Sequence, residues 1–215
     1  MNGGSRPHDG GRPVIYWLAH TLSRLAGRVF FRHRTLNREF LPEAGGALIV
    51  ANHVSFLDPA AVGAAFRKPI YYLARKTLFQ GFLGWLLPRI QVLPVDLGKG
   101  DLASMKRILG LLKEGNRVLI FPEGTRSPDG TLQEAEAGIG FIIAKGEVPV
   151  VPVRIFGAFE CWGREARWPR PGRITLVAGP PVDFSGLPAE LTGRARYQAC
   201  ADRVMKALAD IRLEA

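Results

Sequence analysis

Short apolar runs rich in β-branched residues recur along the chain: "GALIVA" (46–51), "PIYYLA" (69–74), "IQVLPV" (90–95), "RVLIF" (117–121), "VPVVPVRI" (148–155) and "RITLVAG" (173–179). Segments of helical character separate them at 58–66, 77–87, 101–114 and 136–145. This alternation predicts an α/β fold, a single domain with a mostly parallel or mixed sheet flanked by helices on both faces. From Pro188 to about Arg212, Val204, Leu208 and Ile211 fall at helical spacing, which predicts a closing helix packed on the sheet.

The N-terminal end has a different pattern. Val14 to Arg32 reads as an amphipathic helix with Leu18, Leu22, Leu25 and Val29 on one side, while His20, Arg24, Arg28 and Arg32 follow at four-residue steps on the other. Residues 1–13, rich in Gly, Pro and charge, read as a disordered lead-in without the apolar stretch and cleavage site of a signal peptide. The expected division is therefore 1–13 lead-in, 14–34 amphipathic membrane-proximal helix and 35–215 folded domain. The Gly- and Pro-rich stretch around 169–181 reads as a turn region inside that domain. Thr77 to Pro88, the longest charge-free apolar stretch to consider as a span, falls well short of the roughly 20 residues a spanning helix needs, so no transmembrane span is expected.

Composition narrows the function. The 215 residues are 47% hydrophobic, enough for one sizeable core, and the net charge of +10 points to anionic partners. Residues 1–38 hold seven arginines against one acid, Asp9, so much of that charge sits at one end. Two cysteines, Cys161 and Cys200, are too few for a disulfide scaffold and have no metal-ligand spacing; they read as packing residues in a reducing compartment, and no metal site is expected. The arginines are scattered over an α/β pattern without a groove-reading helix, so a nucleic-acid-binding module is disfavoured.

Two polar segments follow strand-like runs. In "NHVSFLD" (52–58), Asp58 precedes Pro59, a helix-start signal that leaves 52–57 as a loop able to fold His53 back onto Asp58. Two readings stand on this heptad alone: Asp58 caps a helix while His53 satisfies a turn, or Asp58 orients His53 as a general base. A Ser55-His53-Asp58 triad is disfavoured, because no G-x-S-x-G elbow occurs and a serine two residues from its own base has poor geometry for attack. In "RVLIFPEGTRS" (117–127), Arg126 offers a planar fork for phosphate, Thr125 a hydroxyl and Gly124 close backbone approach. Glu123 paired with Arg126 in a tight turn is the plainer alternative.

Together, H-x4-D, F-P-E-G-T-R-S and the later "VPVVPV" resemble the glycerolipid acyltransferase family, typified by bacterial 1-acyl-glycerol-3-phosphate acyltransferases, over about residues 35–185. The resemblance implies His53 as the base that deprotonates the acceptor hydroxyl and Asp58 as its orienting partner, with direct attack and no acyl-enzyme. It implies an acceptor-phosphate box of Glu123, Gly124, Thr125 and Arg126, with Lys76 of "ARKTLF" as a further basic residue. Val151, Pro152 and Val153 match an apolar fourth box, read from the residues themselves as a buried strand. The implied donor is an acyl thioester of acyl carrier protein or coenzyme A, with no other cofactor, and the implied acceptor is a lysophospholipid, usually lysophosphatidic acid. A lyso-ornithine lipid or another lysolipid is the alternative acceptor. One departure bears on it: Val95, Asp96 and Leu97 stand where the family usually has "V-D-R", with Lys99 two positions later. A lipid substrate and a basic N-terminal end together imply a peripheral protein on an anionic membrane surface, at the cytoplasmic face.

Overall fold

The computed structural model describes residues 13–95 and 101–213. The strand β2 (Ala47–Ala51) is buried at all five positions because the sheet is covered on both sides. Ala47, Ile49 and Ala51 pack with Ala61, Val62 and Ala65 of α2 (Asp58–Ala65). Leu48 and Val50 point the other way, onto α4 (Leu102–Lys113), α5 (Ala137–Gly146) and α7 (Gly193–Asp210). The period-two alternation of a strand thus divides one continuous apolar run between two cores.

The order of the main sheet is β1 (Arg34–Leu36), β7 (Thr175–Ala178), β6 (Val150–Phe156), β2, β5 (Arg117–Ile120). Its pairings are parallel except β6 with β7. β3 (Tyr72–Arg75) and β4 (Val92–Val95) form a separate parallel pair. Tyr71 joins that pair to the main sheet, donating its N–H to the Arg117 carbonyl and accepting from the Leu119 N–H, each at 2.8 Å. The expected mixed sheet with helices on both faces is what the chain adopts.

Two helical expectations need adjustment. The segment 77–87 is broken into a 3-10 turn (Lys76–Leu78), the short α3 (Gly81–Leu86) and a second turn (Leu87–Ile90). Gln80 is extended and Gly81 has φ +54°, so the helix cannot start earlier. α7 begins at Gly193, later than Pro188, and Ile211 lies just past its end, while Val204 and Leu208 are fully buried. β1 and α6 (Ala158–Trp162) were not expected; each is too short to show a period. Cys161 and Cys200 are buried free thiols in opposite cores, as packing residues should be.

α1 (Pro13–Phe30) lies against α2, but not on its leucines. The inward face carries Tyr16 and His20: His20 Nε2 lies 3.0 Å from the Phe66 carbonyl, and the Tyr16 hydroxyl accepts the Ile70 N–H at 3.3 Å. His20 therefore belongs to the packed face and not, as its four-residue spacing implied, to the basic one. Leu18, Leu22 and Leu25 stay 59%, 55% and 58% exposed, with Val14 and Val29 beside them. No helix among the described residues is long and apolar enough to cross a membrane.

Candidate active site

β2 and β5 are parallel neighbours in register, Val50 opposite Ile120, so the loops that follow them leave the same end of the sheet. The first carries His53 and the second residues 121–135. Asn52 anchors the first loop: its side-chain amide donates to the Ile155 carbonyl at 3.2 Å and accepts the Ile155 N–H at 2.7 Å, extending the strand pairing with β6 through a side chain.

His53 and Asp58 meet. His53 Nδ1 lies 2.8 Å from Asp58 Oδ2, which also accepts the backbone N–H groups of Val54 at 2.6 Å and Ser55 at 2.7 Å. This corrects the capping expectation: Asp58 stands at the start of α2, but its carboxylate turns back into the preceding loop and accepts nothing from the helix. Asp58 is fully buried, and burial pushes its carboxyl up, while His53 and the two loop N–H groups pull it back. With two N–H donors already aimed at that oxygen, the geometry calls for Nδ1–H as a third donor, which leaves the Nε2 lone pair for a proton. The other ring face stacks on Phe121, centroids 4.0 Å apart.

Ser55 is occupied otherwise. Its hydroxyl donates to the Trp162 carbonyl at 2.8 Å and accepts the Leu57 N–H at 3.1 Å, and the residue is fully buried. The geometry gives no support to a nucleophilic serine.

The second loop is stitched to the first. Glu123 is buried, with Oε1 accepting the His53 N–H at 2.7 Å and Oε2 the Gln133 N–H at 3.1 Å, and the Ser127 N–H donates to the His53 carbonyl at 2.8 Å. Burial pushes the Glu123 carboxyl up to about 7 against the pull of these donors. The turn pairing of Glu123 with Arg126 is not made; Glu123 holds the two loops together. Gly124 has φ +64°, and a β-carbon there would fall 2.6 Å from Glu136 Cγ, so the bend needs glycine twice over. Thr125 is exposed at the tip.

Arg126 lies over the Phe56 ring, 3.3 Å from its centroid, with Nη1 buried and without a hydrogen-bond partner. A cation held on an aromatic face with donors unspent is suited to a phosphate. Lys76 is engaged by Asp101 Oδ2 at 2.5 Å, the carboxylate that caps α4. Its neighbour Arg75 is the residue that reaches the second loop, donating to the Gly124 carbonyl at 3.5 Å. Sequence reasoning missed Arg75, Phe56, Phe121 and Gln133: three are side chains of ordinary surface or core type, and Gln133 gives its backbone N–H to Glu123 and its side-chain amide to Ser127 and Thr131 of the same loop. Asp96, Leu97 and Lys99 lie outside the described residues.

The model of the acyltransferase family matches residues 32–156, which take in both loops. The chain belongs to the acyltransferase family. Among relatives in that family, it is 32% identical over 176 residues to the 1-acyl-sn-glycerol-3-phosphate acyltransferase of Bacillus subtilis, covering 80% of this chain and 85% of that one. It is 30% identical over 170 residues to the Pseudomonas aeruginosa protein of the same name, covering 77% and 64%. The fold is similar to that of the 1-acyl-sn-glycerophosphate acyltransferase of Thermotoga maritima, with a TM-score of 0.64 over 95% of this chain and 86% of that one at 22% identity.

Proposed function

We propose that this acyltransferase moves a fatty acyl group from an acyl thioester to the free hydroxyl of 1-acyl-glycerol-3-phosphate, giving phosphatidic acid. The observation that carries the mechanism is the 2.8 Å contact between His53 Nδ1 and the buried Asp58, on a loop stitched to the one that presents Arg126. His53 Nε2 takes the proton of the acceptor hydroxyl as its oxygen attacks the thioester carbonyl. Asp58 holds the ring and stabilises the imidazolium that forms. The tetrahedral adduct then collapses, the C–S bond breaks, and the departing thiolate takes the proton from His53. Arg126 holds the acceptor phosphate, with Arg75 at the margin. The names of the relatives favour lysophosphatidic acid over a lyso-ornithine lipid, which has no phosphate for Arg126 to bind. A panel of lysolipids offered with both acyl carrier protein and coenzyme A thioesters, read by mass spectrometry, tests the choice. Phosphatidic acid should dominate, and a product from lyso-ornithine lipid alone would overturn it.

Arg126→Ala should raise the KM for 1-acyl-glycerol-3-phosphate by ~10-fold or more, the loss of a charge-assisted contact, with a smaller effect on kcat. An unchanged KM removes Arg126 from the site.

A lysolipid and its diacyl product reside in membranes, and the outward stripe of α1 supports peripheral docking on an anionic surface. Phe82, Leu83 and Trp85 of α3 are a second exposed apolar group, and the turn that follows α3 packs against α1. Basic residues near an anionic surface contribute about 1 kcal/mol each. Because α1 also covers Phe66 and Ile70, substitutions on its outer face are cleaner than its removal. Leu18→Asp with Leu22→Asp should abolish co-sedimentation with phosphatidylglycerol vesicles while leaving the fold intact, and wild-type binding should weaken with salt. Undiminished binding by that variant places the docking surface elsewhere.

A further inference from the structure

On the flank of α1 between its packed face and its leucine stripe lies a cavity of about 550 Å³, walled also by the start of β1 and the end of α2. Arg24 and Arg28 of α1, Arg38, His33 and Thr35 line it, and among the described residues none of those lining it is acidic. Three guanidinium groups sharing one cavity with no carboxylate is an unusual concentration, since like charges repel and arginines ordinarily find acidic partners. The charge leaves its mark on His33, whose imidazole is pushed down to about 4 by burial first and then by Arg38 and Arg24. Two polar atoms of these residues, His33 Nε2 and Thr35 Oγ1, are buried without a hydrogen-bond partner. Arg38 is held in place at one edge, donating from Nη2 to the Ala65 carbonyl at 2.5 Å, so it is preorganised.

We propose that this cavity is a second lipid site, distinct from the active site, that binds the phosphate of one anionic phospholipid headgroup. The basic residues supply charge-assisted donors for phosphate oxygens, and Thr35 adds a neutral one. Placement argues for a lipid over a free ion. Leu25 belongs both to the outward apolar stripe and to the cavity wall, so burying the stripe in a bilayer sets the cavity at headgroup depth. Trp17, another wall residue that is partly exposed, has the amphipathic ring found at that depth. The site is also separate from catalysis: α2 starts at Asp58 beside His53 and ends at Ala65 beside the cavity, seven residues later, a span of about 10 Å at the helical rise. Occupation of the cavity would fix the rotation of α1 on the surface, and through α2 the bearing of the active site. This inference rests on the docking reading for its choice of occupant.

The test uses the full chain in solution with no bilayer, so its failure is separable from failure of vesicle docking. Short-chain phosphatidylglycerol below its micelle concentration is titrated while the His33 imidazole resonance is followed, assigned through His33→Gln. Short-chain phosphatidylcholine and inorganic phosphate are the parallel arms. Saturable movement with phosphatidylglycerol is expected, at least ~10-fold weaker in Arg24→Gln with Arg28→Gln, as loss of charge-assisted bonds requires. Thr35→Val, which leaves the charge unchanged, should weaken it by a smaller factor. A resonance unmoved by phosphatidylglycerol overturns the site. Equal affinity for phosphatidylcholine makes it an apolar groove, and equal affinity for inorganic phosphate makes it a site for free anions; either result overturns the assignment to an anionic headgroup.

Discussion

His53→Ala is expected to lose ~10²–10⁴-fold in kcat while the chain keeps its fold, the range seen when a general base is removed. The fold should survive because the backbone of residue 53, and not its ring, ties the loops: its N–H donates to Glu123 and its carbonyl accepts from Ser127. Asp58 keeps two of its three donors, the Val54 and Ser55 N–H groups. Turnover and thermal melting measured on the same preparation separate the two effects. Near-normal turnover would end the general-base mechanism.

Asp58→Asn should be nearly as severe, for a reason that the loop geometry makes specific. The two N–H groups at 2.6 and 2.7 Å admit only an acceptor, so the asparagine carbonyl oxygen must take the place of Oδ2. Nδ1–H of His53 can still donate to it, and the amide nitrogen falls where Oδ1 is buried without a partner. Ring orientation is preserved and only the negative charge is lost. The imidazolium loses its stabilising carboxylate, so kcat should fall by roughly 10²-fold or more. Full activity in this variant would reduce Asp58 to a purely structural residue of the loop.

Much of this site was legible in the chain because its signals are local. Asp-Pro after an apolar run placed a loop-to-helix junction, and two apolar runs that pair as parallel neighbours bring two polar loops to one end. The details were not local. Whether Asp58 caps forward or turns back depends on where the N–H groups of Val54 and Ser55 point, a backbone matter with no residue signature. That Glu123 ties the two loops together was not legible, because its partners are backbone N–H groups of residues 10 and 70 positions away. Lys76 and Arg75 are adjacent and equally basic; only the path of β3 decides that Arg75 meets the second loop while Lys76 meets Asp101. For α1, the helical period showed an apolar and a basic side, yet the helix docks through a third, with Tyr16 and His20 inward. A period reveals that faces differ, not which one finds the core.

The most direct measurement is the fate of a labelled acyl group. Wild-type protein and His53→Ala are each mixed with 1-acyl-glycerol-3-phosphate and an acyl-labelled thioester, and both lipid and protein fractions are followed by mass spectrometry through the first turnover. The expected result is label passing straight into phosphatidic acid with wild type, no acylated protein at any time, and product formation slowed by orders of magnitude in His53→Ala. Label appearing first on the protein, or phosphatidic acid formed equally fast without the imidazole, would contradict direct transfer assisted by His53.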